Sequence, residues 1–513
     1  MNETWQIGKR ETSSENGLVA CQNWRAAEAG AAVLSKGGNA VDAAVTTALV
    51  LSVVEPWLSG IGGGGFMVRG DGNGSVDVLD FNVISPAPLD PAAYPLVPGR
   101  DGDWFDWPSV EGDRNLIGYG SICVPGAIAG FAEALSRFGT ISWAEALAPA
   151  IEQAHRGLQL DWYAALALAI DGANLAQFPA ASELFLHNGR APRVPEGGRT
   201  AFLPMTAKAK TLERLAEAGA RDFYEGEIAD LLVDGLSSGG STLSRQDLAA
   251  YAPRWLTPLT QEYKDLVIHA VPGLSGGPTL CAAMAELDRS LPTDRPLSGE
   301  AALAFARAIR RASEYRLKHL GHAAGESCTS HISVVDGDGT MVALTNTLLS
   351  RFGSKVVVRE TGFALNNGMM WFDPRPGQPN SIAPASRPLA NMSPIIATRN
   401  GVPEIALGAA GGRQIVPAVA QILSYIAAYG LSLEEALLSP RIDASGTTIH
   451  VNRTAAPDVA AAVASEFKIN LIEDTLYPVN FAVPSAVLRR DGVNTGMVHP
   501  KNPWAAVREA KPA

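Results

Sequence analysis

The residues best suited to chemistry head one hairpin. Residues 326–347 read ESCTSHISVVDGDGTMVALTNT. Apolar and polar residues alternate from Ile332 to Val335 and from Met341 to Leu344, with Asp338-Gly339 between them, the pattern of two antiparallel strands and a tight turn. Thr329 then starts the first strand, facing Thr345 and Thr347 at the end of the second. A threonine hydroxyl is a weak nucleophile until a base takes its proton. Were the Cys328–Thr329 peptide bond cut, Thr329 would carry its own base: a free α-amine, with a pKa near ~8, is about a tenth unprotonated at neutral pH. A histidine is then unnecessary.

Other chemistries fit the chain less well. Gly60, Gly62 and Gly65 match G-x-G-x-x-G, but a dinucleotide site needs strand, glycines and helix in that order, and here a helix precedes and a strand follows. A tight turn with close backbone packing is the better reading. The eight histidines form no HExxH and no ligand spacing with cysteine, which argues against a metal. No G-x-S-x-G elbow supports a Ser-His-Asp mechanism.

The elements that must position Thr329 follow from periodicity. Trp24 to Val54 gives two alanine-rich helices broken at KGGNA, where Gly37-Gly38 ends one and Asn39 caps the next. Residues 126–250 read as mostly helical, with packing rather than chemical content. DLVIHAV is a strand, residues 299–320 form a long helix, and residues 362–396 form a Pro- and Asn-rich loop of the kind that carries binding residues. After the strand EIALGAAGG, Gly411 and Gly412 start a helix whose first amides point at an anion.

Composition bounds the rest. With 513 residues, 47% hydrophobic and 18% charged, the chain buries a large core. A net charge of −11 with dispersed basic residues argues against nucleic acid or an anionic membrane and for a small-molecule partner. Four distant cysteines argue against a disulfide framework. The polar first residues and the lack of an apolar spanning run predict a cytoplasmic protein.

Several segments together resemble the γ-glutamyltranspeptidase family of N-terminal-nucleophile hydrolases. These are AAEAGAAVLSKGGNAVDAAVTTAL with VEPWLSGIGGGGFM, then VPGAIAG and FYEGEIADLL, then TSHISVVDGDG with TNT, LNNGMMWF, RPLANMSP and GAAGG. The resemblance implies an α+β four-layer αββα sandwich and self-cleavage between Cys328 and Thr329. Residues 1–328 would form a large part and 329–513 a small part of one structural unit. It also implies an acyl-enzyme reaction without cofactor, in which Thr329 is the nucleophile, Thr347 hydrogen-bonds it, and the Gly411 and Gly412 amides hold the oxyanion.

The departures bear on substrate. Asn82 in DFNV stands where the family has the arginine that binds the substrate α-carboxylate. Trp371 in NNGMMW stands for the aspartate that binds the α-ammonium, Leu349 for an asparagine, and Ala390-Asn391 for a serine pair. Each charge-assisted contact contributes ~1.5–3 kcal/mol, so a free glutamyl head group should bind poorly. Leu349, Met369, Met370, Trp371 and Ala390 suggest an apolar acyl pocket, with core packing the alternative for the Met-Met-Trp run. Arg351 or Arg413 would then be a relocated cation for an acidic substrate, or an ordinary structural arginine. The link before Thr329 is shorter than in typical members, which would leave the new terminus of the large part near the active-site mouth. The expected activity is amide hydrolysis or acyl transfer with altered acyl specificity. A γ-glutamyl hydrolase acting on glutathione-like substrates and an unprocessed, non-catalytic relative are the alternatives, and a homo-oligomer is left open.

Overall fold

The computed structural model describes residues 7–101, 108–321 and 328–512. Two seven-stranded antiparallel sheets carry the fold. The first runs Ala506–Glu509, Leu18–Cys21, Cys328–Val335, Met341–Leu349, Gly64–Gly70, Val76–Phe81, Arg254–Leu256. The second runs Thr12–Ser14, Val493–Val498, Val483–Arg490, Val402–Ala410, Ile395–Arg399, Leu266–Ala270, Leu259–Tyr263. Strands from before and after Thr329 are interleaved in both sheets, so residues 1–328 and 329–513 share one core.

Three apolar layers follow from the alternation of side chains along these strands. Ile332, Val334, Val342 and Leu344 face helices that include Trp24–Ser35, Ala40–Val54 and Ala127–Phe138. Val335, Met341 and Ala343 meet Ile396, Ala406 and Val487 of the second sheet. The far face of that sheet, with Ile268, Ile395, Ile405 and Leu407, packs on helices Gly277–Ser290, Gly299–His319 and Ile415–Ala427. Helix, sheet, sheet, helix is the four-layer αββα sandwich.

Local signals account for the elements around the hairpin. Asn39 caps the helix Ala40–Val54 through a capping box with Asp42, as its place after Gly37-Gly38 predicts. The glycine run Gly62–Gly65 leads into the strand Gly64–Gly70 beside Met341–Leu349. A Cβ at Gly63 would run into the Thr347 carbonyl and one at Gly65 into the Thr345 carbonyl, so the motif permits close backbone approach to the hairpin. No helix among the described residues is long and apolar enough to cross a membrane.

The helical layer holds a buried cation. Lys208, on helix Thr206–Ala218, is 2% exposed and its amine donates to the Ser52 carbonyl. Burial pushes this amine from 10.5 down to about 7. The unfolded chain keeps the proton up to the higher value, so the destabilisation is full below pH 7 and fades as pH rises towards 10.5. Lys208→Met is expected to raise Tm, with the gain over wild type largest at acidic pH and shrinking through that window. Thermal melts of both proteins across pH check this.

Candidate active site

Register builds the site. Thr329 pairs directly with Thr347, and His331 with Thr345. Residues 329, 331, 333 and 335 share the face turned to the second sheet, because side chains alternate. On that face the His331 ring lies over Gly408, and the Ser333 hydroxyl donates to the Ser485 carbonyl at 3.1 Å. Thr329, 1% exposed, therefore looks towards the end of Val402–Ala410, where Ala410 and Gly411 sit.

Three bonds meet at one hydroxyl. Thr329 Oγ1 donates to Thr347 Oγ1 at 3.3 Å, Thr347 Oγ1 donates to the Cys328 carbonyl at 2.6 Å, and the Leu349 amide donates to Thr347 Oγ1 at 2.8 Å. One donor and two acceptor sites are thereby filled, which fixes the Thr347 rotor. The arrangement links the Thr329 hydroxyl to the carbonyl preceding it in the chain. It can polarise that carbonyl and relay the Thr329 proton as its own proton moves on.

His331 supplies no base. It is fully buried between Thr345 Oγ1 at 2.8 Å and Ser333 Oγ at 3.0 Å, and burial pushes its pKa down to about 3. Neutral, hydrogen-bonded and covered by the second sheet, it holds the hairpin against its neighbour.

Gly411 carries the turn beside Thr329. Its φ of 140° suits a residue without a side chain, and a Cβ there would approach the Ala482 Cα at 2.7 Å. The expected helix start differs in detail: a short 3₁₀ turn, Gly412–Gln414, precedes the α-helix Ile415–Ala427. Gly412 is buried.

A cavity of about 110 Å³ opens at Thr329, lined by Cys328, Arg351 and Gly411 and walled by Trp57, Tyr163, Ile170, Leu476, Tyr477 and Val479. Arg351 reaches it from a tight turn in which Leu349, Phe352 and Lys355 all have positive φ, at 82°, 57° and 66°. Such conformations are costly for residues with side chains and cluster at functional sites. Arg351 lies 3.4 Å from Asp171, and the buried Lys355 lies 3.3 Å from the same carboxylate. Burial lowers the Lys355 pKa, and Asp171 opposes that shift. Arg351, at the cavity, and Lys355 share this one anion.

The other expected substrate residues lie elsewhere. Trp371 is fully buried on a 3₁₀ turn, Gly368–Trp371, in an apolar cluster with Leu349, Met369, Met370, Ala390 and Met392. Core packing, rather than an exposed acyl wall, describes the Met-Met-Trp run. Asn82 is buried, its amide donating to the Pro388 carbonyl at 3.4 Å while Tyr251 and Arg387 bond its own carbonyl. Asn391 Oδ1 accepts from Arg316 at 3.0 Å. Arg413 lines a separate groove with Arg316. Residues 322–327, the short link, lie outside the described residues.

The region 126–250 proves to hold more than packing, since Tyr163 and Ile170 on helix Trp162–Ile170 form cavity wall. A signal existed: DWYAALALAI is apolar on every side, and Trp162 is 50% and Ile170 36% exposed, unusual for a helix that only covers a core. Trp57 follows the glutamate-proline step ahead of the glycine run, and Tyr477 and Val479 sit in a loop without periodicity.

A four-layer αββα sandwich with a strand-head hydroxyl beside a glycine turn defines the class of N-terminal-nucleophile amidohydrolases and acyltransferases. The family profile described as Gamma-glutamyltranspeptidase matches residues 26–325 and 300–475, and the chain belongs to that family. Its relatives include a glutathione hydrolase proenzyme of Escherichia coli (strain K12), 29% identical over 483 residues, covering 83% of this chain and 81% of the relative. The acylase ACY 1 proenzyme of Pseudomonas sp. (strain SE83) is 29% identical over 494 residues, covering 89% and 87%. The crystal structure of cephalosporin acylase from Bacillus halodurans superposes with a TM-score of 0.84 at 25% identity, over 100% of this chain and 99% of that one.

The placement of Trp371 has a measurable consequence. Trp371→Ala should cost about 3–5 kcal/mol of stability, the range for emptying a large aromatic site in a packed core. KM for an amide substrate should stay unchanged, because the indole does not line the cavity. Denaturant titration alongside steady-state kinetics checks both.

Proposed function

We propose that the protein is a self-processing N-terminal-threonine amidohydrolase or acyltransferase for a small-molecule amide whose acyl group is apolar or aromatic. The observation that carries this is the Thr329–Thr347–Cys328 hydrogen-bond chain at the floor of an aromatic-walled cavity.

Processing follows from those bonds. Thr329 Oγ1 attacks the Cys328 carbonyl carbon and passes its proton towards Thr347, whose hydroxyl already donates to the carbonyl oxygen that becomes negative. Collapse breaks the Cys328–Thr329 amide as the proton relayed through Thr347 passes to the departing Thr329 nitrogen, and leaves an ester on Thr329. Water then releases residues 1–328 with a new carboxylate and residues 329–513 with a free threonine amine. In turnover that amine takes the Thr329 hydroxyl proton, attack on the substrate amide gives a tetrahedral oxyanion, and the Gly411 and Gly412 amides stabilise it. The amine returns the proton to the leaving nitrogen. Water or an acceptor amine removes the acyl group by the same steps in reverse.

Specificity follows from the walls. Trp57, Tyr163 and Tyr477 offer large apolar faces with little rotamer freedom to lose, suited to an aromatic or aliphatic acyl group. Arg351, its charge shared with Asp171, suits an acidic end of the same group. Asn82, Leu349, Trp371, Ala390 and Asn391 give a free α-amino acid head no charged partners, so a γ-glutamyl substrate such as glutathione should turn over poorly.

Purified wild-type protein should mature into two chains, the smaller beginning at Thr329, while Thr329→Ala remains whole. Mass spectrometry and amino-terminal sequencing decide this; maturation of the alanine variant, or a different new terminus, overturns the reading. Thr347→Ala should slow maturation, by about 10²–10³-fold if its hydroxyl acts as an oxyanion donor, and Thr347→Ser should restore most of the rate. Tyr163→Ala should mature normally yet lose about 1–3 kcal/mol in kcat/KM on a phenylacetyl anilide.

A further inference from the structure

The Gly411–Gly412 turn depends on outside support. With φ of 140° and 58°, both residues use conformations open to a chain without side chains, so the aim of their amides is set by what packs against them. Two such contacts come from one loop, residues 473–482, which joins the strands Ile469–Ile472 and Val483–Arg490. Ala482 packs against Gly411. Gln414, whose own amide donates to the Gly411 carbonyl at 3.1 Å, donates from Nε2 to the Asn480 carbonyl at 2.8 Å.

The same loop is anchored at both ends by a buried cluster. At its start, Asp474 Oδ2 lies 3.0 Å from His499 Nε2. At its end, Arg441 Nη2, 3.0 Å from that same nitrogen, donates to the Ala482 carbonyl at 3.1 Å. Burial lowers the Arg441 pKa, and the carboxylates of Asp474 and Asp443 oppose the shift as its counter-charges. Within the loop, Asn480 Nδ2 donates to the Glu473 carbonyl and Thr475 Oγ1 to the Pro478 carbonyl, at 2.8 and 2.7 Å. Between these ties Leu476, Tyr477 and Val479 line the cavity at Thr329. Tyr477 and Val479 are 46% and 45% exposed, so a bound acyl group would bury apolar surface on this loop.

We infer that Gln414 is a positioning residue: its side chain ties the Gly411–Gly412 turn to the loop that forms the acyl wall, so that an acyl group seated on Tyr477 and Val479 steadies the aim of the oxyanion donors. Binding energy gained at the wall is thereby used at the reacting carbonyl. Gln414 acts through the backbone of its neighbours and does not itself line the cavity. The inference rests on the reading of the glycine turn as the oxyanion site. Removing an oxyanion donor outright costs about 10²–10³-fold in kcat, and a donor left in place but poorly aimed costs less.

Gln414→Met keeps the side-chain length and removes the donor. On a phenylacetyl anilide it should lower kcat about tenfold while KM stays within about threefold of wild type, because the aim of the donors matters most in the transition state. Gln414→Lys, which restores a donor, should recover most of that loss. Maturation at Thr329 should run at the wild-type rate in both variants, since it draws on Thr347. Hydrogen exchange read by mass spectrometry needs no turnover. Gln414→Met should speed exchange in peptides covering 411–414 and 473–482, and Asp474→Ala, which touches the loop at its far end, should speed it at 411–414. Equal kcat for wild type and Gln414→Met, or unchanged exchange at 411–414 in Asp474→Ala, overturns the inference. A wild-type protein that neither matures nor turns over the anilide, yet shows the coupled exchange, overturns the reaction assigned to Thr329 and supports the tie between turn and loop.

Discussion

The hydroxyl of Thr347 is the constraint on which the site depends. It joins the Thr329 hydroxyl to the Cys328 carbonyl only because the hairpin pairs residue 329 with residue 347 and not with a neighbour. A slip of one residue in the first strand would turn Thr329 to the helical face, away from Thr347, and Ile332 and Val334 into the sheet interface. The apolar alternation that fills the two sides of the first sheet thus also sets the reacting geometry. The bond from Thr345 to His331, which crosses the same pair of strands, reinforces that register.

Around that register the protein divides polar from apolar work. His331 and Ser333, buried between the sheets, are satisfied locally and hold the layers together. Leu349, Met370, Trp371 and Ala390 merge with the sheet-to-sheet core. The space left at Thr329 lies towards Trp57, Tyr163 and Tyr477, with Arg351 contributing charge from a turn of positive-φ residues. In this chain Asn82, Leu349, Trp371, Ala390 and Asn391 are buried parts of the packed structure, and the proposed recognition falls to segments far apart in sequence.

That distribution explains what could be read beforehand. The hairpin, its two threonines and the glycine pair lie in short stretches whose periodicity or motif states their geometry, so Thr329 facing Thr347 was legible. Helices packed on antiparallel sheets were legible for a similar reason, through alternating strands and alanine-rich helices, whereas the four-layer order was implied by the family resemblance. Trp371 was ambiguous because an indole in an apolar run suits a pocket wall and a core equally, and only its burial in the sheet-to-sheet cluster decides. Tyr477 carries no local mark of function, and the all-apolar helix of Tyr163 and Ile170 marks an uncovered surface without saying which site it lines. They reach Thr329 through the docking of one helix and one loop, a tertiary event that no spacing encodes.

The central claim is that the Thr329 hydroxyl carries the acyl group. The most direct test is to mix the mature protein with a phenylacetyl anilide, quench in acid before the acyl group leaves, and map the small chain by tandem mass spectrometry. The account predicts a phenylacetyl adduct on the oxygen of the amino-terminal Thr329, labile to hydroxylamine as an ester should be. A stable adduct on another residue, or turnover with no covalent species at any quench time, would contradict it.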